Sequence, residues 1–109
     1  MADQKQFDIH FDEGGAVSLT GIMHLASQEA YETELARIQD ELLSKRHIAL
    51  DLSGVKFMNS SGIRWLCVLV LEAKRLGATM SVRGDMGVVW QAKSLPGVGS
   101  LYDQLVLNI

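Results

Sequence analysis

The chain has 109 residues, 48% apolar and 21% charged, with 10 basic residues against 13 acidic ones and a single cysteine. That describes one domain, long enough to bury its own core, with an internal disulfide excluded. The slightly acidic balance without a basic block argues against a nucleic-acid footprint; Met1–Lys5 lack the apolar core of a secretion signal, and the longest apolar run is far too short to span a bilayer.

From Gln6 to Phe11 the pattern alternates, with Phe7, Ile9 and Phe11 on one side and Asp8 and His10 on the other. This is the signature of a half-buried strand. Asp12-Glu13-Gly14-Gly15 is a turn signal, and Ala16–Gly21 alternates again, so a β-hairpin is expected. Ser27 then precedes a helical segment to about Ser44, in which Ala30, Tyr31, Leu35, Ile38 and Leu42 recur at three- and four-residue steps. Glu29, Glu32 and Glu34 near its start and Lys45 and Arg46 at its end match the helix dipole.

Ile48–Leu52 is apolar apart from Asp51, which suits a strand covered on both faces. A polar connection, Ser53–Met58, leads to Asn59-Ser60-Ser61-Gly62 and an apolar helix to Leu76, stopped by Gly77. Ala78–Arg83 reads as the next strand. A helix over Met86–Ser94, with Val88, Val89 and Ala92 inward, is broken by Pro96-Gly97. One helical turn over Ser100–Asp103 and an edge strand over Gln104–Asn108 complete the chain. The order β-β-α-β-α-β-α-β predicts a mixed sheet of four to five strands packed against about four helices.

Asn and Ser before a helix are cap residues, because their side-chain oxygens accept first-turn N–H bonds. The same terminus favours phosphate, so Ser60 and Ser61 read either as caps or as hydroxyls that take a phosphoryl group. In the helix, Ile63, Leu66, Cys67, Val70 and Ala73 form the stripe assigned to the sheet. Trp65, Val68, Leu69 and Leu71 lie off it, either under a neighbouring helix or facing a partner, with Trp65 and Leu69 the interface candidates. Cys67, inside this pattern, reads as a packing residue of a reduced cytoplasmic protein, with a reactive thiol as the alternative.

Catalysis and metal binding find little support. No Gly-x-Ser-x-Gly elbow is present, His10, His24 and His47 are scattered, and no paired His or Cys spacing suggests a metal. No enzyme activity, cofactor or metal is expected.

The segment Asp51-Leu52-Ser53-Gly54-Val55-Lys56-Phe57-Met58-Asn59-Ser60-Ser61-Gly62-Ile63 resembles the STAS domain family, the anti-sigma factor antagonists, whose hallmark is a strand, a short loop and Asp-Ser-Ser/Thr-Gly opening a helix. The resemblance extends over essentially the whole chain, including the hairpin, Leu19-Thr20-Gly21 and Leu76-Gly77-Ala78. It implies a STAS-like fold and a bacterial signalling protein rather than an enzyme. Ser60 stands where the family is phosphorylated by a serine kinase that is also the anti-sigma factor, and a serine phosphatase resets it; Ser61 is the alternative acceptor. The implied switch and partner surface comprises Met58, Asn59, Ser60, Ser61, Gly62, Arg64, Trp65, Leu69 and His24, in a monomer or weak dimer. Two positions depart from the family pattern: Asn59 replaces the usual Asp, and His24 stands where an acidic residue tends to follow the second strand. The family also contains constitutive modules of larger complexes, such as a lipid-transport ABC assembly or a scaffold, and switches with a non-sigma output such as biofilm signalling.

Overall fold

Asp12 builds the first turn. Its Oδ1 accepts the Ala16 N–H at 2.9 Å, its own N–H donates to the Ala16 carbonyl at 3.0 Å, and Gly15 takes φ +90°. The turn joins β1 (Phe7–Phe11) to β2 (Ala16–Met23) as an antiparallel hairpin, as the alternation predicts. The computed structural model describes residues 6–109; the reading of Met1–Lys5 concerns residues outside that range.

β2 runs parallel to β3 (His47–Met58), β3 to β4 (Thr79–Arg83) and β4 to β5 (Leu105–Asn108), so the five strands lie side by side in chain order. Parallel neighbours require crossovers. These are α1 (Gln28–Glu34) with α2 (Ala36–Lys45), then α3 (Ser60–Leu76), then α4 (Val89–Gly99). The result is the mixed sheet with four helices that the element order predicts.

The helices cover one face of the sheet. Val17, Leu19, Ile48, Leu50, Leu52, Met80 and Val82 are buried against them, whereas Ser18, Ala49, Asp51, Ser53 and Ser81, at alternate positions, are only half-buried. The expectation that Ile48–Leu52 is covered on both faces is therefore corrected. A small Ala49 and a polar Asp51, whose Oδ1 accepts the N–H and Oγ–H of Ser53 at 2.9 and 2.6 Å, need no apolar cover.

Other boundaries also move. The residues read as a polar connection, 53–58, continue β3, where Gly54 and Val55 pair with Thr20 and Gly21 and Phe57 and Met58 with Ile22 and Met23. Gly21, at φ +104°, marks one irregularity in that pairing, and a Cβ there would sit 2.3 Å from the Gln6 carbonyl oxygen. The first helical segment splits at Leu35 (φ −111°, ψ 22°), although Tyr31, Leu35, Ile38 and Leu42 still form one buried stripe. α4 runs on through Pro96 to Gly99 instead of ending at Ser94. It buries Gln91, Leu95 and Val98 and leaves Val89 69% exposed, so the inward set Val88, Val89 and Ala92 is out of phase. Gln91 explains the rotation: its Nε2 donates to the carbonyls of Leu52 and Val55 and its Oε1 accepts the Asp85 N–H, which turns Val89 outward.

Candidate functional site

The C-terminal ends of β2 and β3 lie side by side, and the Asn59 N–H donates to the Met23 carbonyl at 3.0 Å. This brings His24, just after β2, to the same rim as Met58, Asn59 and Ser60. His24 is exposed and its Nε2 lies 2.6 Å from Gln6 Oε1. Met58 is buried and acts as floor rather than surface.

Asn59 is the N-cap of α3. Its Oδ1 accepts the Gly62 N–H at 3.1 Å and the Tyr31 hydroxyl at 2.6 Å, while its Nδ2 donates to the Leu25 carbonyl at 2.9 Å. The Tyr31 hydroxyl in turn accepts the Leu25 N–H at 3.3 Å. An amide suits this place because the Leu25 carbonyl requires a donor, which a carboxylate lacks. Gly62 is buried and admits nothing larger, since a Cβ would lie 2.6 Å from Met58 Cγ and 2.8 Å from Tyr31 Cζ and Oη.

Capping by Asn59 leaves both serines free of that task. Among the described residues neither the Ser60 nor the Ser61 hydroxyl has a hydrogen-bond partner; Ser60 is exposed and Ser61 half-buried. The first-turn N–H groups of Ser60 and Ser61 have no acceptor inside the helix. Arg64, exposed and without an ion pair among the described residues, stands four positions on and hence on the same helix face. Ile22 (41% exposed) and Phe57 (47%) are register partners at this end of the sheet.

Trp65 and Leu69, the expected interface anchors, are both only 3% exposed. α1 and α2 cover them, and Tyr31 stacks on Trp65 with ring centroids 6.4 Å apart. Their apolar surface goes into the core, the alternative the sequence leaves open. The uncovered apolar residues of α3 are instead Val68 (43%) and Leu71 (46%). Cys67 is half-buried, and burial raises its thiol pKa above the ordinary 9.0. Tyr31, Ile22 and Phe57 are the residues that sequence reasoning missed at this rim. Tyr31 was hidden in an apolar stripe, and the only signal for the other pair was two large apolar residues near the ends of their strands. Among the described residues no group of three or more His, Cys, Asp or Glu could hold a metal ion, and no helix is long and apolar enough to cross a membrane.

A family model described as "Mlab, STAS domain" matches residues 8–102. The chain belongs to the STAS domain family. The fold of this STAS chain is that of a protein in the crystal structure of the diguanylate cyclase SiaD in complex with its activator SiaC from Pseudomonas aeruginosa. The identity is 18%, coverage is 98% of this chain and 94% of that one, and the TM-score is 0.70. It also matches the NMR structure of the protein TM1081 at 16% identity, covering 99% of this chain and 86% of that one with a TM-score of 0.61. No curated protein matches it.

Proposed function

We infer that this STAS domain is a partner-switching signalling protein whose docking surface surrounds the start of α3 and is controlled by phosphorylation of Ser60. The observation that carries this reading is the division of labour between Asn59 and Ser60. The cap is made by the amide, so the exposed, unpartnered hydroxyl at the first helical position has no structural duty. A phosphoryl group there adds about −1.5 to −2 charge and three acceptor oxygens. The free first-turn N–H groups and the Arg64 guanidinium are placed to accept that charge without unfolding the helix. Ile22 and Phe57 are exposed at the same end of the sheet, and a partner docks over this end only if the surface it covers can be desolvated. The partner is a serine kinase, with a serine phosphatase to reset the switch. The output is a sigma factor or, as the SiaC fold suggests, a cyclic-dinucleotide enzyme of the kind that controls biofilms.

The test uses the cognate kinase with ATP and intact-protein mass spectrometry. The wild type gains one phosphoryl group, Ser60→Ala gains none, and Ser61→Ala behaves as wild type. Full modification of Ser60→Ala overturns the assignment.

A second reading, a constitutive module of a larger assembly such as a transporter subunit or scaffold, draws on Val68 and Leu71. They are apolar, exposed and two to three helical turns beyond Ser60. It predicts co-purification with the partner that is indifferent to Ser60→Ala and weakened by Leu71→Ser.

A further inference from the structure

Between α1–α2 and α3 lies a groove of about 210 Å³ lined by Glu32, Gln39, Trp65, Val68, Leu69 and Glu72. Trp65 and Leu69, both buried, make its apolar floor, and half-exposed Val68 makes a wall. Glu32 and Glu72 bring carboxylates to the rim, and Gln39 adds an amide with no hydrogen-bond partner among the described residues. Glu72 is ion-paired with Arg75, which keeps its carboxyl below the ordinary 4.5, and Glu32 accepts from Gln28 Nε2 at 3.2 Å, so an incoming cation shares the two carboxylates with these partners.

The indole N–H of Trp65 provides a separate observation. Trp65 is 97% buried by its 3% exposure, yet its N–H meets no acceptor among the described residues. No buried side-chain nitrogen or oxygen among them is sealed without a partner, so the N–H keeps a little solvent access, and Trp65 is one of the residues that line the groove. The other tryptophan differs, because Trp90 Nε1 donates to the Val55 carbonyl at 2.8 Å. An indole N–H that is nearly desolvated and has no protein acceptor is a donor waiting for one.

An apolar floor, two carboxylates at the rim and one unpartnered donor define complementary chemistry. We propose that this groove binds a basic segment of a partner protein, an arginine or lysine whose aliphatic stem lies on Trp65, Val68 and Leu69. Its cationic head reaches Glu32 and Glu72, and a backbone carbonyl beside it accepts the Trp65 N–H. A long cationic side chain matches because its stem is apolar and its head charged. The site is distinct from the Ser60 surface and does not depend on phosphorylation. It connects to that surface through Trp65, Tyr31 and Asn59, which touch in series.

The test is an NMR titration of the full-length protein with blocked Ala-Arg-Ala, Ala-Leu-Ala and Ala-Glu-Ala peptides, following the Trp65 indole resonance and the backbone amides of Val68 and Leu69. Ala-Arg-Ala is expected to give saturable shifts at these three positions, with Ala-Leu-Ala several-fold weaker and Ala-Glu-Ala silent. Glu32→Gln and Glu72→Gln should each weaken Ala-Arg-Ala binding by roughly threefold to fivefold, the range for a partly solvated ion pair. Trp65→Phe, which keeps the floor filled, should weaken the shifts at Val68 and Leu69. Equal binding of the arginine and leucine peptides, or retention of affinity in the Glu32→Gln, Glu72→Gln double variant, overturns the proposal. So does a Trp65 shift that grows with protein concentration alone, which would make a second copy the occupant.

Discussion

The Tyr31 hydroxyl donates to Asn59 Oδ1 at 2.6 Å, joining the first turn of α1 to the cap of α3 across 28 residues of sequence. Both groups also hold Leu25, Tyr31 through its N–H and Asn59 through its carbonyl. The loop that carries His24 is thereby fixed to the helix that carries Ser60.

Asn59→Asp tests that fixation. The carboxylate can still cap Gly62 and accept from Tyr31, but its second oxygen meets the Leu25 carbonyl in place of a donor. Losing a part-buried hydrogen bond and setting two acceptors face to face costs about 1–2 kcal/mol, after the favourable charge at the helix N-terminus is counted. Urea unfolding at neutral pH should show that loss, and Asn59→Ala, which also uncaps the helix, should lose more. A stability for Asn59→Asp equal to or above wild type would mean that the Leu25 bond contributes nothing.

Gly62→Ala acts on the same cluster by volume. The new methyl would press on Met58 Cγ and the Tyr31 ring at distances below 3 Å, and the ring end is pinned by Asn59 and Leu25. Overpacking of a rigid contact costs about 1–3 kcal/mol, in a helix where alanine would otherwise stabilise relative to glycine. Thermal unfolding gives the sign. A rise in Tm would show that Tyr31 moves aside without penalty.

Alkaline pH should weaken the fold through Tyr31. Burial raises its phenol above the ordinary 10.0, and the Leu25 N–H bond only partly offsets this. The unfolded chain therefore releases the proton first, the folded state holds more protons above pH 10, and stability falls as pH rises. The contribution is complete below the unfolded value and is lost as pH climbs through the folded one. Cys67, raised from 9.0 by burial, adds a slope of the same sign that starts lower. Urea midpoints from about pH 8 to about pH 11 should fall for the wild type and fall less for Tyr31→Phe; parallel curves would remove Tyr31 as the cause.

Much of this was legible in the sequence, and the parts that were not share a cause. Alternation in residues 7–11 and 16–21, Gly77 after an apolar helix and the Asn59-Ser60-Ser61-Gly62 run each carry a local signal, and the hairpin, the stop of α3 and its start follow from them. The burial of Trp65 does not. The spacing gives a helix apolar nearly all round, but which side α1–α2 covers depends on residues far off in the chain. The cap was ambiguous for the same reason. Asn59, Ser60 and Ser61 are all competent N-caps, and what selects Asn59 is that its amide also meets Tyr31 and Leu25, long-range partners invisible to spacing. In α4 the apolar pattern pointed at Val88 and Val89, while a glutamine took the buried position because β3 has carbonyls to satisfy there.

That glutamine gives the sharpest stability test. Gln91 is fully buried, and its Nε2 reaches the Leu52 and Val55 carbonyls at 2.8 and 2.9 Å while its Oε1 accepts the Asp85 N–H at 2.7 Å. It is the only buried amide or charged side chain among the described residues. Gln91→Leu keeps the volume but removes all three bonds. The Val55 carbonyl keeps Trp90 Nε1, whereas the Leu52 carbonyl and the Asp85 N–H lose their side-chain partner. Each orphaned group costs about 1–3 kcal/mol, partly offset by the apolar side chain, for a net loss of roughly 2–4 kcal/mol. Gln91→Glu should cost at least as much at neutral pH, because it buries a carboxylate against two carbonyls. Equilibrium unfolding of both variants measures this, and hydrogen exchange at the Asp85 amide locates it. If Gln91→Leu unfolds at the wild-type midpoint with Asp85 still protected, the glutamine is not what fastens α4 to β3.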